Sequence, residues 1–405
     1  MDHVAADYVR LVLAVGQHDP DYVDAYYGPE DWKPAPGDEP KSIDRLSDET
    51  ARLLDGISAE PPAADVMDVL RRDYLLGQLR AVHARLQMLA GERFTFDEES
   101  RALYDAVAPT HGEEYFARTL ADLDARLPGT GPLPERHEAF KRQFVISPDR
   151  LDRVFGAAIE ACRARTRAHL ALPAGERFTV EYVTGKSWSG YNWYQGATTS
   201  LIQVNTDLPI YIDRAIDLAA HEGYPGHHVY NAILEEHLVR GRGWIEFSIY
   251  ALFSPQSLIA EGTANFGIDV AFPGPERVVF ERDHLFPLAG LDPARAEEYY
   301  AILALTDRLA YAGNEAARRY LDGEISRESA VAWLETYALQ PPARAEQRVR
   351  FFDQYRSYVI NYNLGKDLVR AYIEARGGTT DDPDRRWLEF GALLSSPRLP
   401  SALTC

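Results

Sequence analysis

The chain has 405 residues, 46% of them hydrophobic and 26% charged, so it can bury a large core and is neither disordered nor collagen-like. Its 43 Lys and Arg stand against 62 Asp and Glu, a formal net charge of -19; so acidic a surface repels phosphates and anionic headgroups, and neither a nucleic acid nor a membrane is expected as a partner. Two cysteines, Cys162 and Cys405, allow at most one bridge and exclude a disulfide framework or a cysteine zinc cluster.

In chain order, the first apolar run, residues 9–15, is interrupted by Arg10 and preceded by Asp2 and Asp7 instead of a basic leader. No run reaches the roughly 18 uncharged apolar residues of a membrane span, and a cytoplasmic location is expected. Over Asp65–Ala90, Leu75, Leu79, Val82, Leu86 and Leu89 recur at spacings of three and four, which predicts a long amphipathic helix. Gly91-Glu92-Arg93-Phe94-Thr95 recurs at Gly175–Thr179, but its surroundings do not repeat. From Arg177 to Asn205 the chain is rich in Val, Thr, Tyr and Trp punctuated by Gly185, Gly190 and Gly196, which predicts two or three short strands joined by tight turns. A helix is expected to follow from near Leu208-Pro209. Val349, Phe352, Tyr355, Val359 and Tyr362 predict a second long helix. The reading is a mainly α protein with a small β-sheet beside its cleft. It divides into an N-terminal helical region, 1–172, and a sheet plus metal-binding helical region, 173–405, or forms one continuous domain.

The chemistry is concentrated at Asp217-Leu218-Ala219-Ala220-His221-Glu222-Gly223-Tyr224-Pro225-Gly226-His227-His228, where three of the eleven histidines fall within eight residues. In His-Glu-x-x-His the histidines sit one helical turn apart, so both reach one zinc while the glutamate works on its water. Here the second histidine comes two residues late, and a regular helix would turn His227 about 120° away from His221. Pro225 lacks an amide hydrogen and Gly226 accepts dihedrals that other residues avoid, so a bulge there is expected to bring His227 back to the metal side. His227 is the preferred ligand. His228 is the reserve ligand or a substrate contact.

Catalytic zinc normally takes three protein ligands and leaves a position for water. Ser254-Pro255 reads as an N-cap with proline in the first helical turn, opening a helix through Glu261-Gly262-Thr263-Ala264-Asn265. Glu261 is the only acid on that helix before Asp269, and a carboxylate among small apolar neighbours should be buried and need a cation. It is the candidate third ligand, the alternative being a solvent-facing Glu261. Gly262 and Ala264 are expected to let this helix pack closely against the motif helix, and Asn265 and Asp217 are candidates to orient the ligands.

The segment His221-Glu222-Gly223-Tyr224-Pro225-Gly226-His227, with Glu261-Gly262, Val204-Asn205-Thr206 and Tyr362-Asn363-Leu364-Gly365, resembles the bacterial domain-of-unknown-function family 885 over roughly Tyr182–Tyr372. The family usually has Trp-Ala and then a tyrosine after Glu-Gly; here Thr263-Ala264 and Phe266 stand instead. The resemblance implies a multi-helix, metallopeptidase-like fold related to glutamate-ligand zinc peptidases.

The expected activity is that of a peptidase using one zinc ion on short peptides, with Glu222 as the general base. Tyr362 and Tyr358, one turn apart, are the candidate oxyanion donors, with Tyr362 assigned the catalytic role, and Tyr358, Asn205 and His228 are candidate substrate contacts. The strand around Gln203-Val204-Asn205 is expected to pair with an extended peptide, with Trp188, Tyr191, Trp193 and Tyr194 as possible pocket walls. Two other readings use the same residues: a hydrolase of some other amide or ester, and a non-catalytic scaffold in which a fourth protein ligand closes the site.

Overall fold

The computed structural model describes residues 1–35, 37–59 and 65–404, so Cys405 lies outside the described residues; Cys162 is a buried free thiol. Helix takes 66% of the residues and strand 8%, making the protein mainly α. The chain runs through α1 (Asp2–Val15), β1 (Val23–Tyr26), α2 (Ile43–Ala59), α3 (Val66–Leu89), α4 (Phe96–Tyr104), α5 (Glu113–Arg126), α6 (Leu133–Lys141) and α7 (Leu151–His169) before the sheet. The sheet is β2 (Arg177–Val183), β3 (Gly190–Gly196) and β4 (Thr199–Asn205), after which come α8 (Asp213–Leu218), α9 (His227–Leu234), β5 (Ile249–Ala251) and α10 (Pro255–Ala271). Three short helices follow, α11 (Pro275–Phe280), α12 (Phe286–Ala289) and α13 (Ala296–Asp307). Then come α14 (Ala312–Leu321), α15 (Arg327–Tyr337), α16 (Pro342–Tyr355), α17 (Ile360–Glu374) and α18 (Pro383–Leu394).

Local chemistry sets the helix predicted from residue 65. The Asp65 carboxylate accepts from the amides of Met67 and Asp68, which caps α3, and Leu75, Leu79, Val82 and Leu86 are buried along one face. The helix expected near Leu208 begins instead at Asp213, because Tyr211 is held in a β-bridge to Val145. The second long helix is broken. At Arg356 the backbone adopts φ 51°, a 3-10 turn covers Arg356–Val359, and α17 starts only at Ile360. Buried Glu99 holds the break by accepting from the Ser357 amide at 3.0 Å, the Ser357 hydroxyl at 2.6 Å and Arg356 Nε at 2.6 Å.

All three strands form in the region predicted, but their order is β2-β4-β3. β4 lies parallel to β2, with Thr179 opposite Leu201, and antiparallel to β3, with Asn192 opposite Ile202. The expectation that a peptide pairs with Gln203–Asn205 is therefore corrected: β4 is the central strand and both its ladders are already satisfied. A second pairing, β1 with β5, was not foreseen; it puts Val23 opposite Ala251 and Tyr26 opposite Ile249.

One hydrophobic core extends from α1 to the C-terminal turn. The division near residue 172 is crossed by β1–β5, by the Tyr74 hydroxyl donating to Gln256 at 2.6 Å, and by buried Arg71 on equally buried Glu246. Among the described residues no helix is long and apolar enough to cross a membrane.

Candidate metal centre

α8 carries its ridge of buried residues into a wider π turn over Ala219–Gly223, which holds His221 and Glu222. The helix then stops. Tyr224 N donates to Ala219 O at 2.9 Å and Gly226 N to Ala220 O at 2.8 Å, so the chain folds back over its own last turn through a cis Tyr224–Pro225 bond. His227 opens α9, so the two extra residues are absorbed by a helix break, where a bulge within one helix was expected. Gly226 is required there: a Cβ would lie 1.8 Å from His221 O.

The break brings His221 Nε2 and His227 Nε2 to 3.1 Å, with Glu261 Oε2 at 3.2 Å from the first and 3.7 Å from the second. Donors held about 2.0–2.1 Å from a tetrahedral zinc lie about 3.3 Å apart, and the three separations bracket that value. The tautomer agrees as well. Asn265 donates through Nδ2 to Tyr362 O at 3.1 Å, so its Oδ1 accepts from His221 Nδ1 at 3.2 Å; the proton is then on Nδ1, and Nε2 presents a lone pair. Glu261 Oε2 is buried without a hydrogen-bond partner among the described residues. Three ligand atoms at such distances could hold a metal ion, and two imidazoles with a carboxylate are a donor set that suits zinc.

Electrostatics without an ion point the same way. Burial opposes charge on His227, but the adjacent Glu261 carboxylate outweighs it and lifts the imidazole to about 9; Glu261, despite its own burial, is held far below the usual carboxylate range by the two histidines.

α10 supplies Glu261 as expected and starts at Pro255; Ser254 stands in the N-cap position, but its hydroxyl donates to Ala251 O at 2.7 Å and does not cap the helix. Its small residues act differently from the expectation. Gly262 faces α17 instead of the motif helix: a Cβ there would meet Gly365 O at 2.5 Å, and one on Gly365 would meet Leu258 O at 2.8 Å. Two glycines of the resembling segments are thus one helix crossing. That close crossing lets Tyr358 donate its hydroxyl to Glu261 Oε1 at 2.7 Å and brings Tyr362 to Asn265.

Glu222 is buried, with Oε1 4.0 Å from His221 Nε2, and its carboxylate makes no hydrogen bond among the described residues; Asn192 holds its backbone carbonyl at 2.7 Å. The Tyr362 hydroxyl is also free of hydrogen bonds among the described residues and lines the same cleft of about 920 Å³.

Other expected positions fall elsewhere. His228 is fully buried with its back to the ligands, its nitrogens 2.9 Å from Ser200 Oγ and 3.1 Å from Glu176 Oε2, so it pins the sheet to α9. Asn205 spends its amide on Lys186 O and Trp188 O, at 3.0 and 2.9 Å, and holds a loop. Asp217 pairs with Arg277 at 2.8 Å and Arg214 at 3.2 Å and touches no ligand. Tyr358 orients Glu261 by its hydroxyl. Of the aromatics, Trp188 and Tyr191 line the cleft, whereas Tyr194 is buried on Glu235 and Trp193 faces outward.

Sequence reading missed Asp24. β1 carries it into the cleft, where the Tyr191 hydroxyl donates to it. Burial, helped by the charges of Glu261 and Glu222 and opposed by Tyr191 and His227, pushes its carboxyl up to about 6. No local signal marks a lone aspartate whose position depends on the β1–β5 pairing.

No family model matches the chain, and no curated protein matches it. Among solved structures it is similar to a "putative lipoprotein from Colwellia psychrerythraea", with a TM-score of 0.55 and 15% identity, over 90% of this chain and 66% of that one. It is also similar to a "putative lipoprotein of unknown function from Shewanella oneidensis", with a TM-score of 0.48 and 13% identity, over 89% of this chain and 72% of that one. The first likeness is one of fold, and this chain spans just under two thirds of that protein.

Proposed function

We propose that the protein is a zinc-dependent peptidase acting on short peptides, with His221, His227 and Glu261 as the ligands of one ion. The observation that carries the reading is the convergence of two histidine nitrogens on the Glu261 oxygen that has no hydrogen-bond partner among the described residues, inside a large cleft. An ion bound there supplies a Lewis acid that acidifies water and polarises a carbonyl. Glu222, whose carboxylate stands free beside His221, accepts a proton from the attacking water and delivers it to the leaving amine. The Tyr362 hydroxyl donates to the oxygen that gains charge. Tyr358 and Asn265 keep Glu261 and His221 aimed.

The resemblance to family 885 belongs to the same proposal and rests on the motif residues. An extended peptide would find its backbone partner on β3, an outer strand whose first residues Gly190–Asn192 line the cleft. Metal analysis of the purified protein, followed by digestion of a mixed peptide library beside an intact globular protein, tests the reading. One equivalent of zinc and cleavage of peptides alone are expected. Cleavage of small esters with no peptide cleaved would replace it with an ester hydrolase, and a metal-free protein inert to both would refute it.

A further inference from the structure

One face of α16 forms a wall of the metal cleft, with Arg344, Gln347, Arg348, Phe351 and Tyr355 at spacings of three and four. Four other cations of the cleft are matched, Arg214 and Arg277 by Asp217 and Lys366 and Arg370 by Asp269, while Lys141 lies over the Tyr211 ring at 4.5 Å and Arg308 is exposed to solvent. Arg344 and Arg348 are not. Among the described residues neither guanidinium has an ion pair or a hydrogen bond, although both are half-buried. Arg348 rests 4.7 Å from the Phe351 ring centroid and 5.6 Å from that of Tyr362, which places it beside the tyrosine assigned above as oxyanion donor. Arg344 follows one helical turn away, about 6 Å along the axis.

In a chain of net charge -19, two unpaired guanidinium groups withdrawn into one wall are costly unless an anion joins them. Loss of water holds both below the usual arginine value, with Arg214 adding to this at Arg344 and Arg344 adding to it at Arg348. A planar guanidinium fork matches a carboxylate with two parallel hydrogen bonds.

We propose that Arg348, with Arg344 behind it, binds the free C-terminal carboxylate of the peptide substrate, making the protein a carboxypeptidase that releases one or two residues at a time. This rests on the peptidase reading above and specifies its substrate. The chemistry is hydrolysis: water adds its OH to the acyl carbon, the C–N bond breaks, and the remaining proton goes through Glu222 to the amine of the released fragment. That fragment carries the carboxylate held by Arg348.

The test uses the full-length zinc-loaded protein and three peptides of one sequence: a free acid, its C-terminal amide, and the amide with glutamate as the last residue. The free acid should exceed the amide in kcat/KM by about tenfold to a hundredfold, mostly through KM, as expected for a charged hydrogen-bonded anchor. Arg348→Met should bring the acid down to the level of the amide, and Arg348→Lys should keep part of the preference because charge survives and the fork does not. Arg348 has no ion-pair or hydrogen-bond partner among the described residues to orphan, and Met keeps an apolar stem against Phe351, so both variants should fold, with Arg344→Met as a second, weaker version. Binding is read separately, on the Glu222→Gln protein, by calorimetry with an N-acetyl dipeptide acid and its amide.

Equal cleavage and equal binding of acid and amide, or a preference untouched in Arg348→Met, would overturn the proposal and leave the peptidase standing. Rapid cleavage of the glutamate-ended amide would also overturn it, since the site would then read any carboxylate. If no peptide is cut but the acid alone binds, and only with Arg348 present, the carboxylate site stands and the peptidase reading falls.

Discussion

At the scale of single residues, the histidine pair separates into two functions that substitution can tell apart. His227→Ala should lose most of the bound metal, because one of three ligand atoms goes; His228→Ala should keep the metal and lose stability, since Glu176 is left buried with one partner fewer. Metal content and a denaturant midpoint check both, and metal loss confined to His228→Ala would refute the ligand set. Glu222→Gln should retain the metal and lower turnover by about two to four orders of magnitude. A rate within about tenfold of wild type would remove Glu222 from the role of base. Tyr358→Phe leaves Glu261 Oε1 without its donor, and zinc affinity should fall by about tenfold to a hundredfold in a chelator titration while the fold holds.

At the scale of elements, the site depends on two places where backbones nearly touch. Gly226→Ala would force a Cβ into His221 O, so the motif turn must open; we expect metal loss together with destabilisation above about 3 kcal/mol, read by denaturant unfolding. Gly262→Ala should cost about 1–3 kcal/mol by pushing α17 off α10, and weaken metal binding through Tyr358. Glu176 ties further elements together, accepting from Tyr224 at 2.5 Å, Arg167 at 2.6 Å and His228. Although burial opposes its ionisation, His228, Tyr224 and Arg167 hold its carboxyl down to about 2 from an ordinary 4.5. Its contribution is therefore complete above about 4.5 and is lost as pH falls toward 2, and Glu176→Gln should flatten that part of a stability-against-pH curve. What could be read in advance follows the same division between near and far causes. The α3 stripe, the strands and the His-Glu-x-x-Pro-Gly-His cluster depend on neighbours in sequence, and the residues themselves disclose them. The break at Arg356 depends on Glu99, 257 residues away, while apolar spacing runs on undisturbed through it. Strand order was hidden for the same reason. Gly-Glu-Arg-Phe-Thr shows the limit most plainly: at 91–95 it ends in the N-cap of α4, and at 175–179 it enters β2.

At the scale of the whole molecule, the two halves of the chain share one core, and heating should give a single calorimetric transition in place of separate ones for 1–172 and 173–405. Arg71→Met tests the strongest polar link between them. Glu246 is fully buried and would lose its counter-charge, so a loss of about 3–5 kcal/mol is expected in the one transition. Two transitions, with the sheet-containing half surviving the first, would show that the halves fold apart.

The β1–β5 ribbon also bears on how the protein is made. Asp24 reaches the cleft only when residues 23–26 pair with 249–251, and Tyr27 fastens the same joint by donating to Phe247 O across 220 residues of sequence. A ribosome delivers the first strand long before its mate exists, so closure must await the synthesis of residue 251, and contacts so distant along the chain form slowly. A fragment released before residue 261 would therefore leave the tunnel without Glu261, Tyr362 or a closed cleft, and His221 and His227 would stand without the carboxylate that completes their cluster.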